Sequence, residues 1–283
     1  MNLFNILDEI EKVDPEVHER MSPRREAIKN ITSFGSKVAI AALPFAFSNI
    51  FKKAYSQTPP AQVSTVLNFA LQLEYLESYF YNQGVASPGL IAVADIPSFA
   101  VIQADENAHV AFLRSLLGSA ALPMPIIDLT AKGAYPTVLT DYQVFMAVAN
   151  VFEDTGVRAY KGQVPNLIGN STILTSVLSI HAVEARHASA IRQIRASHGV
   201  TITPWITGSS GVYNDTGLPA ANTNYGAGTS GYPAENNITQ GGVDVTTLAS
   251  ASGSTTSYNI GCEAFDEPLD MNTVLTILGP FFG

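Results

Sequence analysis

Ala104-Asp-Glu-Asn-Ala-His109 and Ala182-Val-Glu-Ala-Arg-His187 decide how this chain folds. Each contains Glu-x-x-His, and at i, i+3 the two side chains leave one face of a helix. Random placement of the glutamates and the five histidines among 283 residues would give about 0.2 such pairs, so two demand an explanation. Both motifs lie on apolar stripes of helical period. Helix B, about 97–117, carries Ile102, Glu106, His109, Leu113 and Leu116 on one face, with Pro97 in its first turn and Gly118 beyond its end. Helix D, about 171–198, carries Val177, Ile180, Glu184, His187, Ile191 and Ile194, and Gly199 supplies its stop.

Two further stretches repeat the stripe with a glutamate and no histidine. Helix A, about 61–82, presents Val63, Val66, Leu67, Ala70, Leu71, Glu74, Ser78 and Tyr81, with Gly84 as its expected end. Helix C, about 140–162, presents Phe145, Ala149, Phe152, Glu153, Gly156 and Tyr160. Glu74 precedes Glu106 by 32 residues and Glu153 precedes Glu184 by 31, while Tyr81 and Tyr160 each follow their glutamate by seven. A–B and C–D therefore read as diverged halves related by a pseudo-twofold axis. Short connections make each half an antiparallel hairpin. Residues 119–139, with Pro123, Pro125, Gly133 and Pro136, make one long crossover from B to C. The predicted fold is all-α, a four-helix bundle over residues 57–200.

A glutamate normally faces water. Five glutamates lie between residues 27 and 234, and four of them interrupt the apolar stripes. Four ionised carboxylates are too costly to bury alone. Two divalent cations would cancel their charge, with imidazoles completing the ligand shells. Carboxylate plus imidazole suits iron or manganese, and the single cysteine, Cys262, excludes a cysteine-rich zinc site. The candidate metal ligands are Glu74, Glu106, His109, Glu153, Glu184 and His187. Glu77, one turn from Glu74, is the alternative on helix A, but its counterpart in the repeat is Gly156, which favours Glu74. Asp105 is a candidate acceptor for the free N–H of His187, against a plain exposed aspartate. Tyr81 and Tyr160 read as hydrogen-bond donors to ligand carboxylates or as core aromatics. Asp154 and Arg158, at i, i+4, read as a surface pair, or Arg158 neutralises charge near the site. His181 and His198 read as surface or helix-end residues.

Composition bounds the rest. With 46% hydrophobic and 14% charged residues the chain can bury a core, and a formal charge of −9 argues against nucleic-acid binding. No Lys or Arg follows Arg195, so the seven acidic residues beyond it carry −7 of that total. Residues 201–283 form an irregular extension, rich in Gly, Ser, Thr and Asn over 207–260, with a short helix at about 271–279 expected to dock on the bundle. Residues 1–56 form a leader. Arg24-Arg25 ahead of the apolar run Val38–Phe47 resembles a twin-arginine signal, which predicts a periplasmic or otherwise exported protein; Met21 is a second candidate start. If residues 21–50 are not a signal, the location is cytoplasmic. The run is too short for a membrane span, so no transmembrane anchor is expected in the mature form.

Leu71-Gln-Leu-Glu-Tyr-Leu-Glu77, Val151-Phe-Glu-Asp-Thr-Gly-Val157, Ala159-Tyr-Lys-Gly162, Ala264-Phe-Asp-Glu-Pro-Leu269 and the two Glu-x-x-His stretches resemble the ferritin-like superfamily. The resemblance is greatest to its branch of bacterial ferritin-like domain proteins and plant desiccation-related, stress-response proteins, and covers about residues 60–200 plus the C-terminal end. It implies a ferritin-like bundle and two metal ions, Fe or Mn, on Glu74, Glu106, His109, Glu153, Glu184 and His187. It also implies an oxidoreductase whose partners are Fe(II), O2 or H2O2. Manganese-catalase-like peroxide disproportionation and a non-enzymatic structural or stress-protective role are the alternatives. The low charge content permits a homo-oligomer, but an iron-storage cage would have to place residues 207–260 outside its shell.

Overall fold

The structure, a computed structural model, describes residues 60–207, 216–226, 235–248 and 256–283. The proposed leader, with Arg24-Arg25 and Met21, lies outside them. Four long helices carry the fold: α1 (Ala61–Ala86), α2 (Ile96–Leu117), α3 (Tyr142–Leu167) and α4 (Ser171–Ser197). Their starts follow local chemistry. Asp141 caps α3 by accepting from the backbone N–H of Gln143 at 2.9 Å, and Asn170 caps α4 by accepting from Ile173 N–H at 3.3 Å. Pro97 sits in the first turn of α2, where its missing N–H costs nothing. Gly199, at φ +87°, ends α4 in the left-handed conformation that suits glycine.

Two helix ends depart from the sequence reading. α1 runs on through Gly84 to Ala86, because this glycine serves packing and not termination: a Cβ there would lie 2.3 Å from the Phe145 ring. α3 continues past residue 162 and carries Pro165 inside it before stopping at Leu167.

Two apolar clusters show how the helices run. One joins Phe80, Phe99, Phe145, Phe152 and Ile191; the other joins Leu67, Leu71, Leu113, Leu116, Tyr160, Leu167, Ile173 and Val177. α1 and α4 therefore begin in the second cluster and end in the first, while α2 and α3 run the other way. Since α2 and α3 are parallel, residues 118–141 must travel the length of the bundle. They do so along α1, where Asn68 Nδ2 donates to Ala120 O at 3.0 Å and Leu122 N–H donates to Asn68 Oδ1 at 2.8 Å. This is the bundle with one long crossover.

Beyond α4 regular structure is sparse. The described pieces are α5 (Pro219–Asn222), a two-residue hairpin of β1 (Thr239–Gln240) and β2 (Val243–Asp244), α6 (Tyr258–Glu263) and α7 (Met271–Leu278), besides short 3-10 turns. α7, capped by Asp270, buries Val274, Ile277 and Leu278 in the same cluster as Phe80 and Phe152. The segment leading into it crosses α3 so closely that a Cβ on Gly162 would lie 1.9 Å from Leu269 O. The chain end pairs with the crossover, Asp128 N–H donating to Phe281 O at 2.8 Å. Among the described residues no helix is long and apolar enough to cross a membrane.

Candidate metal centre

Each long helix turns one carboxylate inward between the two apolar clusters. Glu74, Glu106, Glu153 and Glu184 are all 0% exposed, His109 is 8% and His187 4%. Their donor atoms form two groups: Glu74, Glu106, His109 and Glu184; and Glu106, Glu153, Glu184 and His187. Within each group the atoms lie within 4.8 Å of one another. Glu106 and Glu184, the acids of the two Glu-x-x-His motifs, belong to both groups. Glu74 with His109 belongs to one only, and Glu153 with His187 to the other. The repeat in the sequence becomes a twofold arrangement of donors.

Both imidazoles aim Nδ1 at the carboxylates. His109 Nδ1 lies 3.1 Å from Glu74 Oε2, 3.2 Å from Glu106 Oε2 and 3.3 Å from Glu184 Oε1. His187 Nδ1 lies 2.8 Å from Glu106 Oε1 and 3.4 Å from Glu153 Oε2. On the far side of its ring, His187 Nε2 is 3.2 Å from Asp105 Oδ2. With the Nε2–H donated to Asp105, the Nδ1 lone pair is left pointing inward, the tautomer that a metal ligand needs. Tyr81 on α1 donates to Glu153 on α3, and Tyr160 on α3 donates to Glu74 on α1, so each half orients a carboxylate of the other.

Protein groups alone leave this cluster unsatisfied. Glu106 Oε1, Glu153 Oε2, both oxygens of Glu184 and His187 Nδ1 are buried without a hydrogen-bond partner. His187 Nδ1 and Glu106 Oε1 approach to 2.8 Å yet are not aligned as donor and acceptor. Buried acceptors left unmatched cost roughly 1–3 kcal/mol each, more when charged. Oxygen and nitrogen donors converging without a lysine or arginine among them fit metal ions.

The titration behaviour agrees. Burial, with Glu106 nearby, pushes Glu184 well above the usual carboxylate range. Burial takes Glu74 up to about 7 against the pull of His109, and raises Glu153 against that of His187. Burial opposes protonation of the two histidines, but Glu74 and Glu106 raise His109, and Glu153 raises His187, well above the ordinary imidazole. Burial acts to raise Glu106 too, but there the histidines outweigh it and hold it low. Protons collect where cations would neutralise the charge, so the two compete.

Glu77 is also buried, at 3% exposure, beside the centre but outside both donor groups. The Asp154–Arg158 surface pair is corrected: both side chains are buried, and each has another partner. Arg192 holds Asp154, Nη2 to Oδ2 at 2.6 Å, and Tyr225 donates to the same carboxylate. Arg158 Nε pairs with Glu235 Oε1 at 2.5 Å and donates to Glu267 O at 2.9 Å. Arg195 donates to Asn150 Oδ1 at 2.7 Å and to Thr216 O at 2.6 Å. These arginines bind the extension to α3 and α4. The sequence carried one signal for them: an extension with acids and no basic residue must find its cations on the bundle.

A helical bundle with one long crossover, whose middle layer gathers a glutamate from every helix and a histidine from two, defines the ferritin-like class. The family model described as "Ferritin-like domain" matches residues 62–197, and over that span the chain belongs to the ferritin-like superfamily. No curated protein and no solved structure matches it.

Proposed function

We propose that this chain holds two metal ions, iron or manganese, and acts as an exported oxidoreductase on Fe(II), O2 or peroxide. The observation that carries the reading is the pair of buried donor groups sharing Glu106 and Glu184. Glu74 and His109 would complete one ion's shell, and Glu153 and His187 the other's. Such ions supply redox equivalents and oxygen-binding positions. The protein's own part is orientation. Tyr81 and Tyr160 fix the carboxylates that belong to single groups, Asp105 fixes the His187 tautomer, and the apolar layers above and below exclude bulk water. Folded export along the twin-arginine route would allow metal loading beforehand. Manganese-catalase-like disproportionation is the variant of this reading in which H2O2 is both oxidant and reductant.

The test is metal analysis of protein purified without added metal, followed by Fe(II)-oxidation and H2O2-consumption assays on that sample. Bound iron or manganese with turnover in either assay supports the proposal. Bound metal with no turnover leaves a metal-stabilised structural protein and contradicts the enzymatic half.

A further inference from the structure

We propose that Glu77 is a seventh ligand of the centre, a carboxylate supplied on the Glu184 side by α1 alone; this rests on the di-metal reading above. Glu77 lies at i+3 from Glu74 and so shares its helix face. It is almost wholly buried, and its Oε2 has no hydrogen-bond partner. Nothing in the hydrophobic packing of α1 calls for a carboxylate there.

The space it occupies is made by a glycine. A Cβ built on Gly156 of α3 would lie 3.3 Å from Glu77 Oε1 and 3.1 Å from Glu184 Oε2. The two carboxylates therefore sit together over one bare stretch of helix backbone. Two neighbouring carboxylates in an apolar layer need a proton or a cation between them, and a bound metal ion supplies the second. Glu184, with neither oxygen hydrogen-bonded, is already one of the two residues common to both donor groups.

The twofold arrangement then has one deliberate break. In the repeat, the position of Glu77 is taken on α3 by Gly156, so one half gives an extra carboxylate and the other half gives the room for it. The two ions become inequivalent, one richer in anionic ligand than the other. The ion receiving Glu77 would have the more anionic ligand set, which favours its higher charge state.

Cobalt(II) reports this without any turnover, since its visible d–d absorption strengthens as coordination number falls. The wild-type chain is expected to bind two Co(II) ions in equilibrium dialysis. Glu77→Gln, close to isosteric, and Glu77→Asp, still charged but one methylene shorter, should each weaken one ion at least about tenfold and intensify its absorption. Gly156→Ala, which crowds the same two carboxylates, should do likewise. Metal-free Glu77→Gln should melt no lower than wild type, because a buried carboxyl crowded by other acids has been replaced by a neutral group of nearly the same shape. Two Co(II) ions bound by both Glu77 variants with wild-type affinity and spectrum would overturn the assignment. So would loss in Glu77→Gln with wild-type behaviour in Glu77→Asp, which would make Glu77 a charge and not a ligand. Failure of the wild-type chain to take up Co(II), Fe(II) or Mn(II) would instead remove the di-metal reading itself.

Discussion

Two buried polar clusters open from neighbouring residues of α3. Glu153 faces the carboxylate–imidazole centre, and Asp154 faces the arginine cluster that ties the extension to the bundle. Both are sealed from water, yet they are balanced differently. Asp154 meets Arg192, Asn150 and Tyr225, and Glu235 meets Arg158, so acids and bases are matched within the chain. The centre beside it has glutamates and histidines only, with several oxygens unpartnered. One cluster finds its counter-charges within the chain; on the di-metal reading, the other takes them from bound cations.

That contrast can be broken from either side. The largest effect is expected from Asp154→Ala, which strands Arg192 inside the protein. Removing one partner of a buried pair costs about 3–5 kcal/mol, and urea unfolding should show that loss equally with and without Mn(II). Glu153→Ala and His187→Ala should do the reverse, lowering metal content and abolishing most of the metal-dependent gain in stability. For the wild-type chain that gain is about 3 kcal/mol per bound ion at a metal concentration about a hundred times the Kd, read from melting curves with and without metal.

Acidity offers a further test of the centre. In the metal-free protein Glu74, Glu77, Glu153 and Glu184 bind protons more tightly folded than unfolded. Their contribution is complete below the unfolded value of 4.5 and is lost as pH rises, for Glu74 through about 7. His109 and His187, also raised, add a loss of the same sign above 6.5. Glu106 alone runs the other way, losing its contribution as pH falls below 4.5. Metal-free protein should therefore lose stability from mildly acid to neutral pH, while metal affinity rises over the same interval. Melting temperatures against pH for the two forms should diverge, and parallel curves would count against metal binding at this cluster.

The smallest expected effect is at Asp105. Asp105→Ala leaves the ligands in place but frees the His187 ring, and metal affinity should fall about tenfold, or about 1.4 kcal/mol. Isothermal titration with Mn(II) measures it.

Much of this was legible in the sequence for a physical reason. Stripes of helical period, interrupted mid-helix by acids, give the helices and their inward faces together, and Pro97 and Gly199 mark one start and one end. Gly84 misled because glycine has two uses, ending a helix or making room on it, and Phe145 shows that the second applies. Asp154 and Arg158 misled because i, i+4 is also the spacing of an ordinary surface pair. Their true neighbours, Arg192, Tyr225 and Glu235, come from α4 and an aperiodic extension, so no local pattern announces them. Glu77 was visible as an acid one turn from Glu74, but its burial was not. That depends on Gly156 across the helix interface, a tertiary fact.

The most direct trial of the account is the number of iron or manganese ions bound per chain, counted by elemental analysis after loading and dialysis. The account predicts two in the wild-type protein, falling below one in Glu106→Ala with Glu184→Ala, the residues common to both donor groups. A folded wild-type chain that retains no metal, or a double variant that still retains two ions, would contradict it.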